Sequence, residues 1–136
     1  PDARQAGLVL GQLKYTIRRN YSSPPIHGGQ IVATVLTDPE LRRNWEVELG
    51  GMRERILAMR KQLHRVLQAK VPGRNFDYFL TQRGMFSYTG MTPAQVDTLR
   101  EVHGVYMVRS GRICVAGLNS GNVEATAVAM AAVLAG

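Results

Sequence analysis

Three arginines are the residues of this chain whose positions most suggest a binding function. Arg18 and Arg19 lie at the end of a helical pattern, shortly before a Ser-Ser-Pro-Pro turn, and Arg112 follows a Ser-Gly pair at the start of a strand-like run. Because a guanidinium group offers two parallel N–H donors, each could bind a carboxylate in a bidentate pair that lysine does not reproduce. Judged from the residues alone, exposed surface charge is the commoner explanation at all three positions.

Other reactive side chains carry less information. His27, His64 and His103 are far apart and have no metal-ligand spacing, so the sequence predicts no metal site. Cys114 lies in an alternating, strand-like run and is expected to be buried as a small hydrophobic residue. The acidic residues form no evident acid–base pair, and no glycine-rich segment matches a dinucleotide or phosphate loop.

Composition limits the class of protein. The 136 residues are 45% hydrophobic and 20% charged, which is typical of a globular domain. No apolar run is long enough to span a bilayer, and a lone cysteine favours a reducing, cytoplasmic setting. The net charge of +7 permits an anionic substrate or partner. The basic residues are spread along the chain among acidic ones, a pattern that disfavours nucleic-acid binding.

Helices are expected to hold the first arginines. Apolar spacing predicts helices over residues 5–19 and 27–36, separated by the two prolines. A helix of about 30 residues then begins at Asp38, the expected N-cap, with Pro39 at its first position. Gly50 and Gly51 mark a bend or a boundary between two units. One apolar stripe runs along this helix: Leu41, Trp45, Leu49, Met52, Ile56, Met59, Leu63 and Val66.

The second half of the chain predicts an α+β unit in the order β-β-α-β-β-α. Strands are expected at 76–82, 84–90, 105–108 and 112–117. A helix over 92–104 has Thr92 and Gln95 as a capping box and Gly104 as its stop. The last helix covers 122–135, with Asn119 or Ser120 as its cap.

Three segments together resemble the aspartate and aromatic amino-acid aminotransferases, which are pyridoxal-phosphate enzymes of fold type I. The segments are residues 17–28 (IRRNYSSPPIHG), 77–91 (DYFLTQRGMFSYTGM) and 104–119 (GVYMVRSGRICVAGLN). The match extends over about residues 8–134 and is closest to the aromatic (tyrosine) members. It implies the C-terminal part of such an enzyme: residues 1–50 would end the large domain and begin the linking helix, and 51–136 would complete that helix and form the small domain.

The resemblance also gives individual residues a role. Arg112 occupies the position that binds the substrate α-carboxylate. Arg18 occupies the position that reaches a neighbouring subunit's site and binds a distal carboxylate, which implies a homodimer. Phe86 matches an aromatic that lines the substrate site. Ser23 stands where aspartate-specific members have Asn, which is consistent with bulkier substrates, whereas Arg19 is expected to be incidental.

The resemblance implies a pyridoxal 5'-phosphate cofactor, with amino acids and 2-oxo acids as substrates, for the full-length enzyme. Its Schiff-base lysine and main cofactor-binding residues lie upstream of the matched segments. Lys14, Lys61 and Lys70 are expected on helix surfaces, so no catalytic residue is assigned here. Two alternatives stay open: an inactive fragment that exposes apolar surface, and a basic helix-rich module that binds a partner or nucleic acid.

Overall fold

The computed structural model describes residues 2–136 and divides them into two compact units, one ending at Glu46 and the other being Val47–Gly136. A short 3₁₀ turn, Val115–Gly117, follows the second strand. The helices and strands, in chain order, are α1 (Ala3–Tyr21), α2 (His27–Thr37), α3 (Pro39–Lys70), α4 (Tyr78–Thr81), β1 (Phe86–Tyr88), α5 (Pro93–His103), β2 (Arg112–Cys114) and α6 (Val123–Ala135).

The N-terminal unit consists of α1, α2 and the first turns of α3. The three predicted helices are confirmed, and local capping explains where two of them begin. Asp2 accepts a hydrogen bond from the Gln5 N–H at 2.7 Å. Asp38 accepts from the N–H groups of Glu40 and Leu41 at 2.9 and 3.0 Å, as expected of an N-cap. Neither α1 nor α2 contains a buried residue.

Helix α3 is continuous over 32 residues and passes through the Gly50–Gly51 pair. Its apolar stripe has two different environments. Met59, Leu63 and Val66 are buried in the C-terminal unit, whereas Trp45 and Met52, nearer the helix start, are exposed. The sequence pattern therefore predicts the helix correctly, but only part of its stripe packs within the described chain.

The core of the C-terminal unit forms where the second half of α3 meets α5, α6 and the aromatic residues after α3. Close packing of α6 is possible because its buried face includes small residues, notably Ala127 and Ala131. Residues that are no more than 2% exposed include Leu63, Leu67, Phe76, Phe79, Val96, Leu99, Val115, Val123, Ala127 and Met130.

Two of the four predicted strands are wrong. Residues 78–81 form α4, because Phe76 and Phe79 are both buried at a spacing of three while Leu80 is exposed. An alternating strand would have buried Phe76 and Leu80 on one face. Residues 105–108 alternate in burial but have no strand partner in the part of the chain that the structure describes. The described sheet is therefore a two-stranded antiparallel ribbon of β1 and β2.

Capping predictions for the later helices are mostly confirmed. Thr92 and Gln95 form a reciprocal capping box on α5, and Gly104 ends that helix at φ 63°. The predicted cap of α6 is wrong, since the helix starts at Val123 after Asn122. Asn119 instead accepts a hydrogen bond from the Gly121 N–H at 2.8 Å, so its side chain stabilises the preceding turn.

Candidate functional site

The outer face of the β1–β2 ribbon brings together two of the predicted site residues. Phe86 lies opposite Cys114, and Tyr88 lies opposite Arg112. Directly opposed residues of an antiparallel pair point to the same face, so these four side chains form the outer face. Phe86 is 47% exposed and Tyr88 is 59% exposed. Ser87 alternates with them and is buried on the inner face.

Arg112 and Phe86 contact each other across the outer face. The Arg112 Cζ atom lies 4.8 Å from the centroid of the Phe86 ring, a cation–π arrangement between diagonal neighbours of the ribbon. Within residues 2–136, Arg112 makes no ion pair. Since a ring contact uses none of the guanidinium N–H groups as a donor to an acidic side chain, these donors stay available for a planar anion such as a carboxylate.

A required glycine fixes the backbone immediately before Arg112. Gly111 has φ 81°, in the left-handed region, and a Cβ atom there would lie 2.8 Å from the Met91 carbonyl oxygen. The Gly111 carbonyl accepts two hydrogen bonds from Thr89, one from its N–H and one from its hydroxyl, both at 2.9 Å. The turn therefore sets the start of β2, and with it the position from which Arg112 projects.

A cavity of about 550 Å³ borders Arg112 beside β2. Its lining is largely apolar and includes Met107, Leu118 and Met130. Among the described residues that line it, Arg112 is the only charged one. A carboxylate that enters this region therefore meets a single favourable charge.

The prediction that Cys114 is buried is wrong. The thiol is exposed on the outer face rather than buried. The alternation was right in period, but Ile113 takes the inner position of β2, which directs its neighbour Cys114 outward.

In the N-terminal unit, Arg18 and Arg19 have different partners. Arg18 Nη1 donates to the Ser23 hydroxyl at 3.4 Å, so the turn after α1 holds this guanidinium group weakly. Arg19 lies over the Tyr15 ring, 4.8 Å from its centroid. Ser22, between helix and turn, has φ 57°, so the helical path ends there, and the Ser23 hydroxyl lies within reach of Arg18 in the last turn of α1.

Sequence reasoning missed Arg60, which holds the inner side of the ribbon. This residue of α3 is only 2% exposed, and its guanidinium group donates to oxygen atoms of residues 79–87. Burial, and secondarily the charge of Arg83, lowers the Arg60 pKa from its usual value. An arginine next to an apolar stripe is normally a solvated surface residue, so no sequence signal marks this burial.

The remaining candidate groups do not form a site. The lysines Lys14, Lys61 and Lys70 are exposed helical residues, as predicted, and none lines the cavity beside β2. His64 pairs with Asp77 through an Nε2–Oδ1 distance of 2.9 Å. Residues 2–136 contain no cluster of histidine, cysteine and acidic side chains that could hold a metal ion. None of their helices is both long and apolar enough to cross a membrane.

A helix-rich unit that presents an available guanidinium group beside an aromatic ring is suited to binding a small carboxylate. The chain belongs to the family of class I and II aminotransferases, whose sequence profile matches residues 8–130. The resemblance drawn from the three sequence segments is thereby confirmed at the level of the family.

Individual relatives agree with this assignment. The aromatic-amino-acid aminotransferase of Escherichia coli K12 is 62% identical over 98% of this chain and 34% of its own length. The tyrosine aminotransferase of Klebsiella pneumoniae is 57% identical over the same shares. A crystal structure of the aromatic-amino-acid aminotransferase from Burkholderia pseudomallei, covalently bound to pyridoxal phosphate, superimposes with a TM-score of 0.91 at 56% identity and covers 98% of this chain and 34% of that one.

The chain therefore spans about a third of the length of the curated relatives it matches. None of its three lysines contributes to the wall of the cavity beside β2. Arg112, supported by Phe86, is the charged group that borders this cavity.

Proposed function

We propose that this chain is the C-terminal portion of a pyridoxal-phosphate-dependent aminotransferase that acts on aromatic and dicarboxylic L-amino acids. The family match, the 57–62% identity to two aromatic-substrate relatives and the coverage of about a third of their length support this proposal. In this view residues 1–50 end the large domain and begin the linking helix, and residues 51–136 complete the small domain. The division between Glu46 and Val47 agrees with a boundary near Gly50.

Arg112 is proposed to bind the substrate α-carboxylate. A bidentate pair with its free guanidinium edge fixes two oxygen atoms at once, and therefore the direction of the neighbouring Cα–H bond. Phe86, whose ring centroid lies 4.8 Å from the Arg112 Cζ atom, supports the guanidinium group and is proposed to line the substrate site. The cofactor, bound by parts of the protein outside this chain, supplies the electron sink for loss of the α-proton.

Arg18 is proposed to bind the distal carboxylate of dicarboxylic substrates in the active site of a second subunit. Its only hydrogen bond to a side chain within residues 2–136 is the long one to Ser23, so the guanidinium group can leave that position at low cost. Ser23 is small, which is in keeping with room for an aromatic substrate. A homodimer is required for this role.

Exposed apolar surface supports an assembly larger than this chain. Leu8, Leu13, Ile31 and Trp45 are each at least 44% exposed, and the other large apolar residues of α1 and α2, apart from Val35, are exposed as well. Monomeric proteins rarely expose so many apolar side chains on neighbouring helices. The remainder of the protein and a second subunit are proposed to cover them.

The observation that carries the proposal is the available Arg112 guanidinium group on the outer face. The test is to measure kcat/KM for phenylalanine and aspartate in the full-length protein carrying Arg112→Lys. Loss of the bidentate, charged pair costs about 1.5–3 kcal/mol, so kcat/KM should fall about 10- to 140-fold for both substrates.

Arg109→Lys is the matched control. Arg109 lies three residues away, is exposed, and pairs with Asp97 at 2.8 Å. An exposed pair of this kind contributes little, so this variant should stay within about twofold of the unmodified enzyme. Equal kinetics for both variants would show that Arg112 does not bind the carboxylate.

A further inference from the structure

Arg60 is a buried charge whose side-chain hydrogen bonds, among the described residues, all go to one short segment, residues 79–87. Its side chain is the largest of the fully buried ones. Nη1 donates to the Phe79 carbonyl at 3.3 Å and to the Ser87 hydroxyl, and Nη2 donates to the carbonyls of Gly84 and Phe86 at 2.8 and 2.9 Å. One guanidinium group thus links helix α3 to α4, to the loop between α4 and β1, and to β1.

Neutral oxygen atoms, not a carboxylate, are the hydrogen-bond partners of the buried Arg60 charge. Within the described residues, no carboxylate lies in salt-bridge range of Arg60. Burying a charge in this way is costly, and an apolar side chain of similar volume is often equally stabilising or better. What an apolar side chain cannot provide is a rigid, planar set of donors that fixes several oxygen atoms in defined directions.

The fixed directions matter because of what β1 carries on its other side. Arg60 binds the backbone of Phe86 and the side chain of Ser87, two consecutive residues of a three-residue strand. Two such contacts determine both the position of the strand and its rotation about its own axis. Since Ser87 faces inward and Phe86 outward, a rotation of β1 moves the Phe86 ring, and that ring supports Arg112.

We propose that Arg60 is a positioning residue for substrate carboxylate binding: it holds β1 from the inner side so that Phe86 keeps the Arg112 guanidinium group in its binding orientation. This inference rests on the proposed function, in which Arg112 binds the α-carboxylate. It differs from a purely stabilising role because it predicts an effect confined to ligands that carry a carboxylate.

The experiment uses the full-length enzyme with its cofactor and two ligands that differ in one group. The first is 3-phenylpropanoate, which has the carboxylate and no amino group, and the second is 2-phenylethylamine, which has the amino group and no carboxylate. Binding of each is measured for Arg60→Met, Arg60→Lys and Ser87→Ala, together with KM and kcat for phenylalanine and the melting temperature.

Arg60→Met should weaken 3-phenylpropanoate binding and raise KM about 10- to 100-fold, because displacement of a binding group by about 1 Å costs this much. Binding of 2-phenylethylamine should change by less than about twofold. Arg60→Lys should recover part of the loss, since its ammonium group can reach some of the same oxygen atoms. Ser87→Ala removes one contact and keeps Arg60, so it should give a smaller effect in the same direction and remains informative if Arg60→Met does not fold.

Arg55→Met is the control for a helix arginine with backbone contacts. Arg55 also lies on α3 and donates to the carbonyls of Ala116 and Leu118 at 3.2 and 2.8 Å, in the turn that follows β2, and among the described residues it makes no hydrogen bond to β1 itself. The Arg55→Met variant should lower the melting temperature and leave the ratio of 3-phenylpropanoate to 2-phenylethylamine affinity unchanged. Equal losses for both ligands in the Arg60 and Ser87 variants, or no loss for either, would overturn the positioning role.

The double variant Arg60→Met/Arg112→Lys separates this inference from the proposed function. If Arg60 acts through Arg112, the combined loss is smaller than the product of the single losses. If Arg112→Lys alone leaves 3-phenylpropanoate binding intact, the proposed function fails. If Arg112→Lys has its effect and Arg60→Met has none, only the positioning role fails.

Discussion

Gly111→Ala tests whether the turn before Arg112 requires a glycine because a side chain there would collide with the backbone of Met91. The structure contains a graded series of glycines in the same unit. Gly117 has an ordinary φ and open space, and Gly104 has φ 63° and open space. Gly111 has φ 81°, and a Cβ atom added there would lie 2.8 Å from the Met91 carbonyl oxygen. The three alanine variants therefore separate backbone strain from steric contact.

The expected losses follow from these differences. Gly117→Ala should be neutral or stabilise the protein by up to about 1 kcal/mol, because it restricts the unfolded chain. Gly104→Ala should cost about 1–2 kcal/mol, the penalty of the left-handed conformation for a residue with a Cβ atom. Gly111→Ala adds an overlap with backbone, typically about 1–3 kcal/mol, for a total of about 2–5 kcal/mol.

Urea unfolding, with the midpoint shift read at constant slope, measures the three losses. Carboxylate binding by the full-length enzyme provides a second readout, since the Gly111 variant must displace β2 or Met91 and Arg112 follows directly. If Gly111→Ala destabilises no more than Gly104→Ala, the close approach to Met91 is not a constraint, and the explanation for the position of Arg112 is wrong.

Three further predictions concern other parts of the chain. Tyr78→Phe removes the hydrogen bond from its hydroxyl to the Thr89 carbonyl (2.7 Å) and should cost about 1 kcal/mol. Burial raises the Tyr78 pKa above its usual 10.0. The contribution of Tyr78 to stability is therefore present below pH 10 and is lost as the pH rises through the raised pKa. Over this pH range the urea midpoint should fall less in the Tyr78→Phe variant than in the unmodified protein. Thr92→Ala should cost about 0.5–2 kcal/mol in urea unfolding, and a loss near zero would contradict the capping box. The isolated chain should self-associate in gel filtration, and Trp45→Glu should reduce this; a monomer of 15.0 kDa would show that the exposed apolar residues need no cover.

Features set by neighbours in the sequence could be predicted. Asp38, Thr92 and Gly104 mark helix ends because each acts on backbone groups within a few residues. The helix periods were also recoverable, since a repeat of three and four residues places apolar side chains on one face. The same local logic could not decide the cap of α6, where Asn119 and Asn122 compete within one turn.

Strands were harder to predict because pairing joins distant residues. An aromatic-rich segment such as 76–82 suits a strand by composition, yet its side chains pack with helical spacing against α3. Residues 105–108 have strand-like alternation, but alternation does not supply a partner. Cys114 shows a related limit. The alternation of β2 was predictable, but which of its residues faces inward was not, and Ile113 takes that position instead of Cys114.

Of the candidate site, Arg112 and Phe86 came from resemblance, and their contact came from the register of the ribbon. Arg60 could come from neither. Its neighbours on α3 include the buried Met59 and Leu63, so it sits at the edge of an apolar stripe, where arginine normally extends into solvent. Its burial is possible only because four oxygen atoms, 19 to 27 residues further along the chain, converge on one guanidinium group. A helical pattern records which residues share a face, whereas the stability of a buried charge depends on acceptors that only the folded chain assembles.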